Sequence, residues 1–207
     1  YDSIEPIATA KNIITVGAIK KIENGFSESS DAEIASYTGW GPADDGRVKP
    51  DIVARGGDGS SDQVNSTDID SNSDYSSKIG TSTAAPSVSG AIALLLEHQK
   101  DLDSSVNLQA STIKGLLLHT ANDAGNIGPD YQFGWGVLNV KNAVSLMSTN
   151  QNANPGTFHI KEATLSNGET QEHTIYSSEG SSIKVTVTWT DPSGTTVSSS
   201  SLLNNRT

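Results

Sequence analysis

Ile79-Gly80-Thr81-Ser82-Thr83-Ala84-Ala85-Pro86-Ser87-Val88-Ser89-Gly90 decides how the rest of the chain is read. Gly80 permits a sharp backbone turn. Thr81 and Ser82 are cap-forming types, and Pro86 suits a first helical turn, so a helix is predicted over Ala84–His98. That segment is apolar on nearly every face, through Ala84, Ala85, Val88, Ala91, Ile92, Ala93, Leu94, Leu95 and Leu96, which predicts a buried helix. A serine hydroxyl at the start of such a helix lies beside unpaired N–H donors and the positive end of the dipole, where a developing oxyanion is stabilised. The same serine would serve equally as a plain helix cap, and spacing alone does not separate the two roles.

The chain around this stretch has 207 residues, enough for one or two domains with a real core. A net charge of −11 argues against nucleic acid as a partner. The absence of cysteine excludes a disulfide framework and thiol chemistry. No apolar run reaches membrane-spanning length, and no signal peptide opens the sequence. The first residue is Tyr1 and the only methionine is Met147, so the expectation is a processed or truncated piece of a longer product.

Upstream of the central stretch, Asn12–Ile19 is a short apolar run rich in β-branched residues, which predicts a buried strand. Residues 20–35 read as a solvated loop or hairpin. Ser36–Pro42 sets two aromatics among glycines, either a substrate-side loop or a turn with packed rings. Val48–Ala54 predicts a second strand with Pro50 near its start. Residues 56–78 read as a long polar loop containing Asp68-x-Asp70-x-Asn72-x-Asp74. Oxygen ligands at alternating positions begin a calcium loop, but Ser73 holds the place of the turn glycine and Ile79 that of the bidentate glutamate, which favours a solvated acidic loop.

Downstream, Leu108–Ala121 predicts a second helix whose apolar face ends at His119, a packed or capping histidine. Ser148–Gly156 has a linker's composition. From Phe158 the pattern turns to short β-type segments, Phe158–Ile160, Glu172–Tyr176 and Ile183–Trp189, separated by Asn167-Gly168 and Glu179-Gly180 turns. The clean alternation in Ile183–Trp189 predicts one buried face. The expected organisation is therefore two parts, residues 1–150 and 151–207.

Gly80-Thr81-Ser82-x-Ala84-Ala85-Pro86 followed by Val88-Ser89-Gly90 closely resembles the nucleophile segment of subtilisin-like serine proteases, the subtilases. Two further stretches agree in order and spacing: Pro6–Ala18, and Ser36–Pro42 running on through Gly46–Ala54. Arg55 stands where the family pattern has proline. Residues 134–144 look like the family's closing segment, which implies that the turn Gly134-Trp135-Gly136 leads into a last helix through Ala143-Val144, so the resemblance covers about residues 1–147. Val185–Pro192 resembles the C-terminal β-barrel, or jelly-roll-like, domain attached to some subtilases.

The resemblance implies an α/β fold: the C-terminal part of a subtilisin-like parallel-sheet domain, followed by a partial antiparallel β-sandwich. It implies a secreted serine endopeptidase acting on protein or peptide substrates through an acyl-enzyme at Ser82, with calcium for stability. A serine needs a base to take its proton, and the family order is aspartate, histidine, serine. Yet His98, His119, His159 and His173 all follow Ser82. The aspartate, histidine and oxyanion asparagine are therefore expected ahead of Tyr1, in an upstream half of the catalytic domain, and these residues alone are expected to be inactive. Thr83 stands where relatives often carry methionine, which implies activity that survives peroxide. Ser87 stands where relatives often carry histidine and is expected only to tune packing. Two rival readings remain. An α/β-hydrolase would use the order Ser82, Asp123, His159, although Ala84 breaks the G-x-S-x-G pattern. Alternatively, the chain is a non-catalytic binding or structural piece on a subtilase scaffold.

Overall fold

The computed structural model describes residues 2–154, 157–177 and 180–192. Two short parallel strands, β1 (Val16–Ile19) and β2 (Ile52–Arg55), pair in the register Val16↔Ile52 to Ile19↔Arg55. Residues 135–138 run along the free edge of β2. Val53 N–H donates to Gly136 O at 3.0 Å, and Leu138 N–H to Val53 O at 3.0 Å. An antiparallel hairpin follows, β3 (Val64–Thr67) with β4 (Tyr75–Lys78). Three helices complete the body: α1 (Thr81–Leu102), α2 (Ala110–Thr120) and α3 (Val140–Gln151).

Period-two alternation in the strands divides the core. Ala18, Ile52 and Ala54 face the helices, where they meet Ala84, Val88 and Leu95 of α1, Leu116 and Leu117 of α2, and Met147 of α3. Ile19 and Val53 face the opposite side, against Ala32, Phe133 and Val137. This is an α/β arrangement with the start of α1 delivered beside the C-terminal end of β2, the place where parallel sheets present their sites.

Several elements differ from expectation. The first strand begins only at Val16. Thr15 N–H is taken by the Asp51 carboxylate at 2.7 Å, and Asp51 N–H returns to Thr15 O at 2.8 Å, so a side-chain clip starts the pairing. The second strand likewise begins at Ile52, after Pro50. The supposed polar loop contains the β3–β4 hairpin. Helix α1 starts three residues early, which leaves Pro86 at its sixth position rather than in the first turn. Nor is α1 buried all round: Ala84, Val88, Ala91, Leu95 and Gln99 form one buried stripe, while Leu94 is 59% exposed. Ser87 is exposed and its hydroxyl bonds back to Thr83 O at 3.1 Å. The linker begins at Asn152, because α3 runs through Gln151.

Among the described residues 157–177 and 180–192 there is no strand, so the expected antiparallel sandwich is not formed there; the one antiparallel sheet is the small β3–β4 hairpin. Part of the Glu179-Gly180 turn lies outside the described residues. The alternation in Ile183–Trp189 does sort two faces, but inversely. Thr186 and Thr188 are held against the body, while Val185, Val187 and Trp189 stay largely exposed.

Candidate active site

Ser82 is the second residue of α1, and its side chain is exposed. The N-cap position is Gly80, with φ of 142°, a conformation that L side chains rarely adopt, and no side chain caps this terminus. Ser82 is therefore not spent as the helix cap. The N–H groups of Thr83 and Ala84 return to Gly80 O at 3.0 and 3.4 Å, whereas the Ser82 N–H takes no backbone acceptor among the described residues. Among the described residues neither the hydroxyl nor the N–H of Ser82 has a hydrogen-bond partner, and both lie at the positive end of a 22-residue helix.

The turn before Ser82 is fastened from two sides. Gly80 N–H donates to Gly56 O and to Tyr37 Oη, each at 3.0 Å, and the Tyr37 hydroxyl donates to Gly57 O at 2.6 Å. Thr83 Oγ1 bonds Gly56 O at 3.0 Å and Gly80 O at 2.7 Å. Thr83 thus holds a hydroxyl that stitches the turn to the end of β2. Burial pushes the Tyr37 phenol above its usual value, the Gly80 N–H opposes this, and Asp58 and Asp62 add to the rise. The phenol is neutral at neutral pH and keeps both bonds. Between the two expectations for Ser36–Pro42, the structure shows a supporting role for Tyr37, which the aromatic-in-glycine pattern signals but does not specify.

The four histidines are engaged elsewhere. His98 lies sixteen positions along α1 from Ser82, about 24 Å at the helical rise, with Nε2 3.0 Å from Ser148 Oγ. His159 lines an open groove with Ser148, Asn152 and Thr157, at that same distant end. His119 Nδ1 sits 2.9 Å from Thr186 Oγ1, and His173 Nδ1 is 3.1 Å from Lys161 Nζ. Asp123 receives Gly128 N–H at 2.9 Å. The Ser82–Asp123–His159 order of an α/β-hydrolase is therefore not assembled.

The acidic run at 68–74 is the tip of the β3–β4 hairpin. Asp68 accepts its neighbour's N–H from Ile69 at 2.8 Å, and Asp74 that of Tyr75 at 3.2 Å. Among the described residues no three acidic or histidine side chains gather into one group.

One buried cluster had no signal in the sequence. Lys49, 2% exposed, donates to Asp51 Oδ2 at 2.6 Å and Thr15 Oγ1 at 3.0 Å, while Lys114 of α2 reaches Asp51 Oδ1 at 2.9 Å. Burial pulls the Lys49 ammonium below its usual value, and Asp51 opposes the change. The cluster joins the β2 entry to α2 beneath the site.

Comparison with known proteins agrees with this architecture. The sequence pattern described as the subtilase family matches residues 2–136. The serine protease AprX of Bacillus subtilis is 31% identical over 142 residues, 65% of this chain and 30% of that protein. An extracellular serine protease of Serratia marcescens is 32% identical over 130 residues, 59% of this chain and 12% of that protein. The serine protease/ABC transporter B family protein tagA of Dictyostelium discoideum is 28% identical over 193 residues, 82% of this chain and 11% of that protein. The chain thus spans between 11% and 30% of the length of these relatives. Among solved structures, the CspB protease of Clostridium perfringens superposes with a TM-score of 0.57 at 26% identity, covering 72% of this chain and 29% of that one. With the family pattern matched over residues 2–136 and the same fold in a solved protease, this chain belongs to the subtilase family.

Proposed function

We propose that this chain is the C-terminal part of a secreted subtilase catalytic domain in which Ser82 is the acyl-forming nucleophile. The observation that carries the proposal is the exposed, uncapped Ser82 at the start of α1, held by Gly80, Tyr37 and Thr83. In this reading the Ser82 hydroxyl adds to the scissile carbonyl carbon and gives its proton to a histidine base. The oxygen that becomes negative is met by the Ser82 N–H. Breaking the C–N bond returns that proton to the leaving amine. Water then repeats the addition and frees the acid and Ser82.

In this reading the base, its carboxylate and the oxyanion asparagine come from an upstream half of the domain; the reading is supported by the fact that, among the described residues, none of the four histidines is hydrogen-bonded to Ser82. The exposed face of α1 around Leu94 and Leu96 offers a surface for that half. Relatives that are extracellular serine proteases support a secreted location. Calcium is assigned to no residue here.

In a protease extended upstream, Ser82→Ala is expected to lower kcat by at least about 10⁴-fold while leaving the melting temperature within about 1 °C. Retained hydrolysis in that variant would remove Ser82 from the mechanism. The competing reading, a binding or structural piece, predicts that no upstream extension confers hydrolysis at all.

A further inference from the structure

Ser111, Gly115 and His119 are four residues apart and form one stripe along the outer side of α2. Against this stripe lies the extended segment from Lys184 to Asp191. Thr188 Oγ1 donates to Ser111 O at 2.8 Å, Thr186 Oγ1 meets His119 Nδ1 at 2.9 Å, and Lys184 Nζ donates to His119 O at 2.7 Å. The segment runs antiparallel to the helix, Lys184 and Thr186 meeting its last turn and Thr188 its first. Beyond the helix, Asn12 and Asp191 exchange two bonds of 2.9 Å each, with Lys11 3.9 Å from the Asp191 carboxylate. Gly115 is the seat of the contact: a Cβ there would stand 2.5 Å from Thr188 Oγ1 and 3.5 Å from Thr188 Cβ.

We propose that the Ser111–Gly115–His119 stripe is a docking surface for the chain's own segment Lys184–Asp191, which acts as a clasp tying α2 to the residues that lead into β1. Lys114 already reaches the carbonyls of Lys11 and Ile13 at 3.2 and 2.9 Å, so the clasp closes a ring of contacts around the same three places. The proposal does not depend on the role of Ser82. The glycine is required for approach, since any side chain at position 115 must displace Thr188.

The chain has no cysteine, so one introduced pair can report the contact without competition. A Gly115→Cys/Thr188→Cys variant places two Cβ atoms about 3.5 Å apart, inside the range a disulfide spans. Mild oxidation is expected to give an intramolecular cross-link, mapped by mass spectrometry, about tenfold faster than in a Gly90→Cys/Thr188→Cys control, because Gly90 has open space around it. Equal rates, or no cross-link, overturn the clasp. Gly115→Ala supplies a second readout of opposite sign for the two cases. With the clasp docked its melting temperature falls, and adding Thr188→Ala recovers it. With the segment undocked it rises, because alanine is the better helix former, and that rise overturns the proposal.

Discussion

Ser82 is available because its neighbours do the structural work that a serine at a helix start usually does. Gly80 takes the cap position, and Thr83 and Tyr37 supply the bonds to Gly56 and Gly57, which leaves the Ser82 hydroxyl uncommitted. The sequence signalled the serine and its turn. It did not signal Lys49 and Asp51, because nothing in a local pattern tells a buried charge from a solvated one. Removing one partner from such a cluster leaves the others buried and uncompensated. Asp51→Asn is therefore expected to cost about 3–5 kcal/mol, read from the urea midpoint at unchanged slope. A loss below about 1 kcal/mol would show that Lys49 and Lys114 find other partners or water.

At the scale of elements, the helices were legible and their surroundings were not. The turn and apolar run marked α1, spaced apolar residues marked α2, and the resemblance implied α3, but the run of leucines and alanines in α1 read as buried on every side, whereas one stripe faces these strands and helices. Strand lengths were overestimated because β-branched residues such as Ile13 and Ile14 look alike inside and outside a ladder. Pro86 illustrates a second limit. Lying inside α1, it supplies no N–H to Ser82 C=O four residues earlier. Pro86→Ala is expected to stabilise the chain by about 1–2 kcal/mol, the relief of the helix exceeding the entropy the unfolded chain regains; a lower thermal midpoint would contradict this. At the end of α2, burial lowers the His119 pKa, and Lys184 lowers it further. The unfolded chain therefore binds this proton more readily than the folded one. Stability is lost as the pH falls from about 6.5 toward the lowered folded value. His119→Asn cannot titrate there, so between pH 7.5 and 5.5 it is expected to lose less stability than the parent chain in denaturant titrations. An equal loss in both would place the pH dependence elsewhere.

For the whole molecule, the subtilase identity was legible because three ordered motifs surround turns whose geometry tolerates few residue types. The C-terminal quarter was not. Its alternating segments fit strands by pattern, yet in this structure Lys184–Asp191 spends its polar side on α2 instead of pairing in a sheet. Pairing partners are set by the assembled chain rather than by a seven-residue pattern. In the proposed reading Ser82 is a nucleophile whose base is not among these residues. The direct measurement is covalent labelling of the 207-residue chain with a fluorophosphonate serine probe, read by intact mass, beside a protein extended upstream through the rest of the catalytic domain. The expected result is no adduct on the 207-residue chain and a single adduct at Ser82 in the extended protein. A stoichiometric adduct on the 207-residue chain would contradict it, because a base would then have to lie within these residues.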